Sequence, residues 1–417
     1  MAKNSDRDPL IIDADGHILE PPDLWERYLE PRFRDRAVSI RVGDDGYEYV
    51  EVDRKRARMT PRGTLATLGG MGRAVGVSKA LRRKALGGAM RPEDARRMRP
   101  NPEDTYIRGA AFGSMDAGER LRLLDGEGIA IAILYPTLGL LWEAETYDIE
   151  LSQALACAYN RWIADFCRDS GGRLVPIAHL SLGDPVAAAA ELERAVADGC
   201  RGAFVAPFTI TRKPHGHPDH DPVFAAAQDL GVPLAIHPTF EPSAVNVHHR
   251  FDNFGWATWY RDMFAPAGVV QAFATLFQFG IPDRFPRLKL AVLESGGGWI
   301  AQWLARADSI FESTRLGASV RLREKPSYYF RRQFYIAAEP GEPLLGAVME
   351  IVGEDRFFWA SDYPHADHPK GYMRELRATA ESMSESARRA ILGENAARAY
   401  GLDLAVTSAR VRSSDRP

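Results

Sequence analysis

Ionisable side chains stand at the ends of several short apolar runs. Asp15 and His17 follow Leu10 to Ile12, His179 follows Leu174 to Ala178, and His237 follows Val232 to Ile236; Glu294 follows Leu288 to Leu293, and Asp362 follows Phe357 to Ala360. Imidazole and carboxylate together are the donor types of Zn²⁺, Mn²⁺ and Fe²⁺ sites that keep a position open for water or substrate. Asp15 and His17 are spaced i and i+2, which on a strand puts both on one face. Taken alone, each residue is weak evidence. A single histidine at a strand end is ordinarily a hydrogen-bonded structural residue, and Asp362, followed by Tyr363 and Pro364, can cap a turn. The joint placement carries the reading: one divalent metal ion on His17, His237, Asp362 and Asp15. Zn²⁺ leads, with Mn²⁺ and Fe²⁺ as the other candidates.

The elements that must position these residues are the runs themselves, with Ile129 to Leu134, Gly202 to Ala206 and Gln333 to Ala337 completing a set of eight. Runs this short, rich in Val, Ile, Leu and Phe, read as buried parallel strands. Segments of helical periodicity separate them, including Ile149 to Arg168, Asp184 to Asp198 and Pro222 to Leu230. Eight strands alternating with helices predict a (β/α)₈ TIM barrel, whose catalytic groups sit at the C-terminal strand ends. A doubly wound open sheet is the alternative, but no GxGxxG follows the first strand. The Gly296-Gly297-Gly298 run lacks the lysine and spacing of a phosphate loop and reads as close packing at a helix start.

A barrel needs about 250 residues, and this chain has 417. Much of the excess falls at about 38–118, read as an insertion after the first strand, partly helical and partly mobile. Its stretch Arg54 to Arg99 is strongly basic and fits a solvated insertion, a lid or an interface arm. Residues 1–404 read as a single domain, and 405–417 as a disordered tail. A formal net charge of −3 gives no electrostatic reason to expect nucleic acid or an anionic membrane as partner. Cys157, Cys167 and Cys200 lack metal or redox spacing and read as reduced thiols. With no apolar run of membrane-spanning length and no signal-peptide pattern, the expected location is the cytoplasm.

IIDADGHILEPPDLW, LAIHPTF, LKLAVLESGGGWI, FWASDYPHAD and GENAARAYGL together resemble the amidohydrolase-related group that includes aminocarboxymuconate semialdehyde decarboxylase. The resemblance runs from about Leu10 to Leu402, except the basic excursion. It implies a TIM barrel with a catalytic divalent metal and often a homodimer. His17 resembles the second ligand of the first-strand pair, His237 the fifth-strand ligand, and Asp362 the eighth-strand aspartate that also handles protons. Two departures stand out. Asp15 occupies a position that is histidine or glutamate in relatives, which favours a harder metal. Glu294-Ser295 replaces the histidine that the decarboxylases place before the glycines. The expected activity is therefore hydrolysis, with metal-activated water attacking an amide, ester or lactone in a small, anionic or aromatic substrate. Decarboxylation, or another lyase reaction, is the alternative, and a catalytically idle ligand-binding barrel is the third reading. Asp362, His365 and Glu294 are the expected proton-handling groups, and His179, Trp256 and Trp259 the expected substrate contacts. Near those tryptophans lie His248, His249, Phe251 and Phe254. His215, His217 and His220 are expected in a solvated loop.

Overall fold

The protein is described from a computed structural model covering residues 9–58, 60, 63, 65–70, 101–242, 263–264, 266–365 and 371–403. Trp256, Trp259, His248, His249, most of the basic stretch and the tail from 405 lie outside the described residues.

Twelve strands are described. β1 (Ile12–His17), β5 (Ile131–Tyr135), β6 (Leu174–Pro176), β7 (Ala178–His179), β8 (Ala203–Val205), β9 (Leu234–Ile236), β10 (Leu290–Val292), β11 (Phe334–Ala338) and β12 (Phe357–Trp359) pair in parallel in chain order. β6 and β7 are two halves of one barrel strand interrupted at Ile177: β6 pairs with β5, and β7 with β8. The ring closes where the chain beyond β12 meets β1, through Asp362 N–H to Asp15 O (2.9 Å) and His17 N–H to Tyr363 O (2.7 Å). Eight barrel strands in sequential order and helices between them make a (β/α)₈ barrel.

Strict alternation explains why the strands read as continuous apolar runs. Ile131, Ile133, Tyr135, Val175, Ile177, Phe204, Ala235, Leu293, Ala337 and Phe358 fill the barrel interior. Their alternates Ala132, Leu134, Ala203, Val205, Ile236, Val292 and Ile336 belong to the cluster beneath the helices. Both faces are buried, so no polar position breaks the pattern. The helices Ile149–Cys167 and Pro185–Ala197 start where Asp148 and Asp184 accept hydrogen bonds from first-turn N–H groups. The helix Asp221–Leu230 ends at Gly231 in the left-handed conformation. No helix among the described residues is long and apolar enough to cross a membrane.

Two features depart from the sequence reading. The insertion opens with an antiparallel sheet, β2 (Ser39–Val42), β3 (Glu48–Val52) and β4 (Lys55–Arg56), where the sequence suggested helix and mobile chain. The turn between β2 and β3 contains Asp45-Gly46, with Gly46 at φ +77°, a strong local hairpin signal. The expected solvated histidine loop is also corrected. His215 and His220 are buried, and their rings bond the carbonyls of Ala206 (2.8 Å) and His215 (2.9 Å). Only His217 stays partly exposed.

Glu20, fully buried three residues after His17, accepts N–H bonds from Thr137 (3.2 Å), Leu138 (2.8 Å) and Gly139 (2.7 Å). It thereby fixes the loop after β5. Gly139 permits this turn, because a Cβ there would meet Pro136 Cβ at 2.4 Å.

Replacing Glu20 with alanine leaves three N–H groups without their acceptor and is expected to lower stability by about 3 kcal/mol. Urea unfolding measures it, and a change below about 0.5 kcal/mol rejects the cradle. Burial pushes His215 down to about 4 from its ordinary 6.5. A depressed imidazole contributes stability above pH 6.5 that is lost as pH falls towards 4. At pH 5 this group accounts for about 2 kcal/mol. His215→Gln should shrink the stability difference between pH 7.5 and pH 5 by about that amount, and an unchanged difference would place the acid sensitivity elsewhere.

Candidate metal centre

Asp15, His17, His237 and Asp362 converge at the C-terminal mouth of the barrel, all buried. Strict alternation from Ile12 and Ala14, both interior, would turn Asp15 and His17 outward. A register shift between Asp13 and Gly16 against β5 reverses this. Gly16 has no room for a side chain, since a Cβ would lie 2.7 Å from Asp13 Oδ2. His17 and His237 meet edge to face, with centroids 5.1 Å apart, and Tyr135 stacks on His237.

Hydrogen bonding fixes what the imidazoles present. His17 Nδ1 lies 2.6 Å from Pro136 O, and His237 Nδ1 lies 2.6 Å from Pro238 O. A carbonyl only accepts, so each Nδ1 carries the hydrogen and each Nε2 presents a lone pair. Those Nε2 atoms face carboxylate oxygens. His17 Nε2 lies 3.6 Å from Asp15 Oδ1 and 3.1 Å from Asp362 Oδ1, and His237 Nε2 lies 3.4 Å from Asp15 Oδ1. Neither Nε2 nor either Asp15 oxygen makes an aligned hydrogen bond. Burial, reinforced by the charge of His365, pushes His17 down to about 4, so a proton does not resolve the conflict at neutral pH. Lone pairs converging from two imidazoles and two carboxylates fit a divalent cation. Two three-residue groupings bring ligand atoms within 4.8 Å of one another: Asp15, His17, His237 and His17, Asp362, His365.

His365 closes the other side. Its Nδ1 lies 2.7 Å from Asp362 Oδ1, and its Nε2 lies 2.9 Å from Thr137 Oγ1. Burial alone would raise Asp362. The charge of His365 and the close imidazoles of His17 and His365 outweigh it and hold the carboxyl well below the ordinary range. Glu294 Oε2 lies 3.4 Å from His237 Nε2, which puts the residue standing in the histidine's place beside the ligand set. Glu294 and Asp362 both adopt positive φ, +41° and +52°, a conformation that costs a non-glycine residue about 1–2 kcal/mol.

His179 lies at the end of β7, buried between aromatic rings. Asp184, five residues further on, caps a helix. The sequence reading missed the layer behind the ligands. Asp13 accepts from Ser361 N (2.9 Å) and Oγ (2.6 Å), pinning the chain just before Asp362. The buried Arg120 donates to Gly113 O at 2.8 Å and to the His17 carbonyl, with its guanidinium 4.8 Å over Tyr363. Asp13 flanks the first motif and was findable there; Arg120 looks like any arginine on a helix.

The amidohydrolase family model matches residues 131–402. Among curated relatives, gamma-resorcylate decarboxylase of Rhizobium sp. (strain MTP-10005) is 28% identical over 296 residues, spanning 68% of this chain and 86% of that protein. Decarboxylase orsB of Emericella nidulans is 30% identical over 224 residues, 50% of this chain and 64% of that protein. Among solved structures, an amidohydrolase of Mycobacterium avium subsp. paratuberculosis superposes with a TM-score of 0.75 at 22% identity, covering 96% of this chain and 100% of that one. The 5-carboxyvanillate decarboxylase of Novosphingobium aromaticivorans, complexed with manganese and 4-hydroxy-3-methoxy-5-nitrobenzoic acid, gives 0.63 at 20% identity, covering 96% and 98%. The family match runs from the second barrel strand through the last described helix, and on it the chain belongs to the amidohydrolase family and is an enzyme of hydrolase or decarboxylase type.

Proposed function

We propose that this enzyme is a metal-dependent, non-oxidative decarboxylase of a hydroxylated aromatic acid, with its ion held by Asp15, His17, His237 and Asp362. The observation that carries the reading is the kinship with gamma-resorcylate decarboxylase across 86% of that protein, which displaces the hydrolysis expected from the sequence. Two carboxylates beside two imidazoles favour a harder ion, and we favour Mn²⁺ over Zn²⁺.

A divalent ion held by these residues would supply positive charge to bind and orient the substrate's carboxylate. Asp362 stays ionised and shares the proton on His365 Nδ1. Delivery of that proton to the ring carbon bearing the carboxylate forms a C–H bond from a ring π pair. The C–C pair then returns to the ring as CO₂ leaves. One proton is consumed per CO₂, and His365, 12% exposed, recovers it from water.

Glu294 favours a second reading. A carboxylate 3.4 Å from His237 Nε2 is placed to act as base towards a water, the step hydrolysis needs.

Two experiments test these assignments. His237→Ala is expected to lose bound metal at least tenfold and turnover with it, measured by elemental analysis of purified protein; full metal content would remove His237 from the ligand set. In ¹⁸O-labelled heavy water, Mn²⁺-loaded enzyme given 2,6-dihydroxybenzoate and other hydroxybenzoates, with aryl esters in parallel, should release CO₂ and place deuterium at the vacated carbon. Label in the acid product of an ester, with no CO₂ from any benzoate, would replace decarboxylation by hydrolysis.

A further inference from the structure

The histidines of this barrel are satisfied in different ways. His17, His215, His220 and His237 each commit one ring nitrogen to a backbone carbonyl. His179 commits neither. Its backbone is clamped by Asn160, which donates Nδ2–H to His179 O (3.1 Å) and accepts His179 N–H at Oδ1 (2.7 Å). Its ring is held by apolar contact alone, with Trp142 stacked at 4.5 Å and 24° and Phe204 tilted at 4.4 Å and 32°. Both faces are thus covered, and polar contact is left to the nitrogen-bearing edge. His179 follows Val175 and Ile177, which fill the interior, so it belongs to the inner face and stands at the mouth end of its strand. Phe204 also contacts His237, with centroids 5.8 Å apart, so His179 lies one phenyl ring from the metal ligands.

Four buried polar atoms collect here without a hydrogen-bond partner: both His179 nitrogens, Glu143 Oε1 and Trp142 Nε1. His179 Nε2 and Glu143 Oε1 are 3.7 Å apart, too far for a direct hydrogen bond. Buried polar atoms left in this state are costly and call for a partner. The pair joins none of the metal-donor groupings among the described residues, so a second cation is not that partner. A hydroxyl is, since its oxygen accepts from an imidazole N–H while its hydrogen goes to the carboxylate. A second carboxylate would instead meet Glu143 with like charge.

We propose that His179 and Glu143 form a second polar pole at the barrel mouth, recognising an uncharged hydroxyl on the substrate ring away from the candidate metal centre. This deepens the decarboxylase reading and rests on it for the nature of the ring. The test is calorimetric titration of the Mn²⁺-loaded full chain with benzoate and with 2-, 3- and 4-hydroxybenzoate. The wild-type protein should bind at least one hydroxybenzoate about tenfold more tightly than benzoate. His179→Phe keeps a flat ring between Trp142 and Phe204 but removes both nitrogens. It should bring that ratio to about one, with metal content unchanged. If this variant does not fold, Glu143→Leu tests the pole by the same ratio. Equal wild-type affinity for all four acids, or a ratio that survives in the folded variant, overturns the proposal. A hydroxyl preference lost in the variants, with no CO₂ released by the wild type, supports the pole and rejects only the reaction.

Discussion

The structure depends on a conflict between lone pairs. Two imidazoles give their only hydrogens to the carbonyls of Pro136 and Pro238, and their remaining nitrogens point at carboxylate oxygens in a dry volume. At separations of 3.1–3.6 Å, in a low effective dielectric, such electron-rich atoms repel unless a positive charge lies between them. Much of the surrounding structure keeps that arrangement from relaxing. Glu20 holds the loop that offers Pro136 O, Arg120 grips the carbonyl of His17, and Asp13 with Ser361 pins the approach to Asp362. The four side chains are thus held in place by their neighbours, and an ion bound among them would not bear the full entropy of arranging them.

The mouth has an asymmetry that the ligands alone do not reveal. On one side, charged groups and strained backbone surround the cluster, with Glu294 and Asp362 both in the left-handed region. On the other, His179 is held by Trp142 and Phe204, with no polar bond to fix its ring. One side is built to handle charge and protons, the other to present hydrogen-bonding atoms from an apolar wall. Phe204 and Tyr135 separate them while touching His237.

Barrel and candidate site were legible because both follow short-range rules. Runs of Val, Ile, Leu and Phe mark strands buried on two faces, and a candidate ligand stands out wherever such a run ends in His237 or Asp362. The i, i+2 spacing of Asp15 and His17 was legible, but the register shift at Gly16 that turns them inward was not, since a bulge leaves no mark in a hydrophobic pattern. Glu20 and Arg120 escaped for a different reason. Their partners are 117 and 103 positions away, and nothing local separates a buried, satisfied charge from a solvated one. The Asp45-Gly46 turn was a readable signal, since the basic stretch of the excursion begins only at Arg54.

β1 and β5 are neighbours in the barrel, pairing Ile12 with Ile131, although the whole insertion lies between them. The entropy of closing such a loop grows only with the logarithm of its length, so even doubling it costs about 0.6 kcal/mol. Lengthening or shortening the excursion therefore taxes the barrel very little, while the chain leaves it directly beyond His17, at the rim of the metal centre. Chain length at that rim can change at little entropic cost, whereas Val50, Val52 and Tyr106, packed into the core, and Gly16, Glu20 and Arg120, which hold the strand itself, have no such freedom.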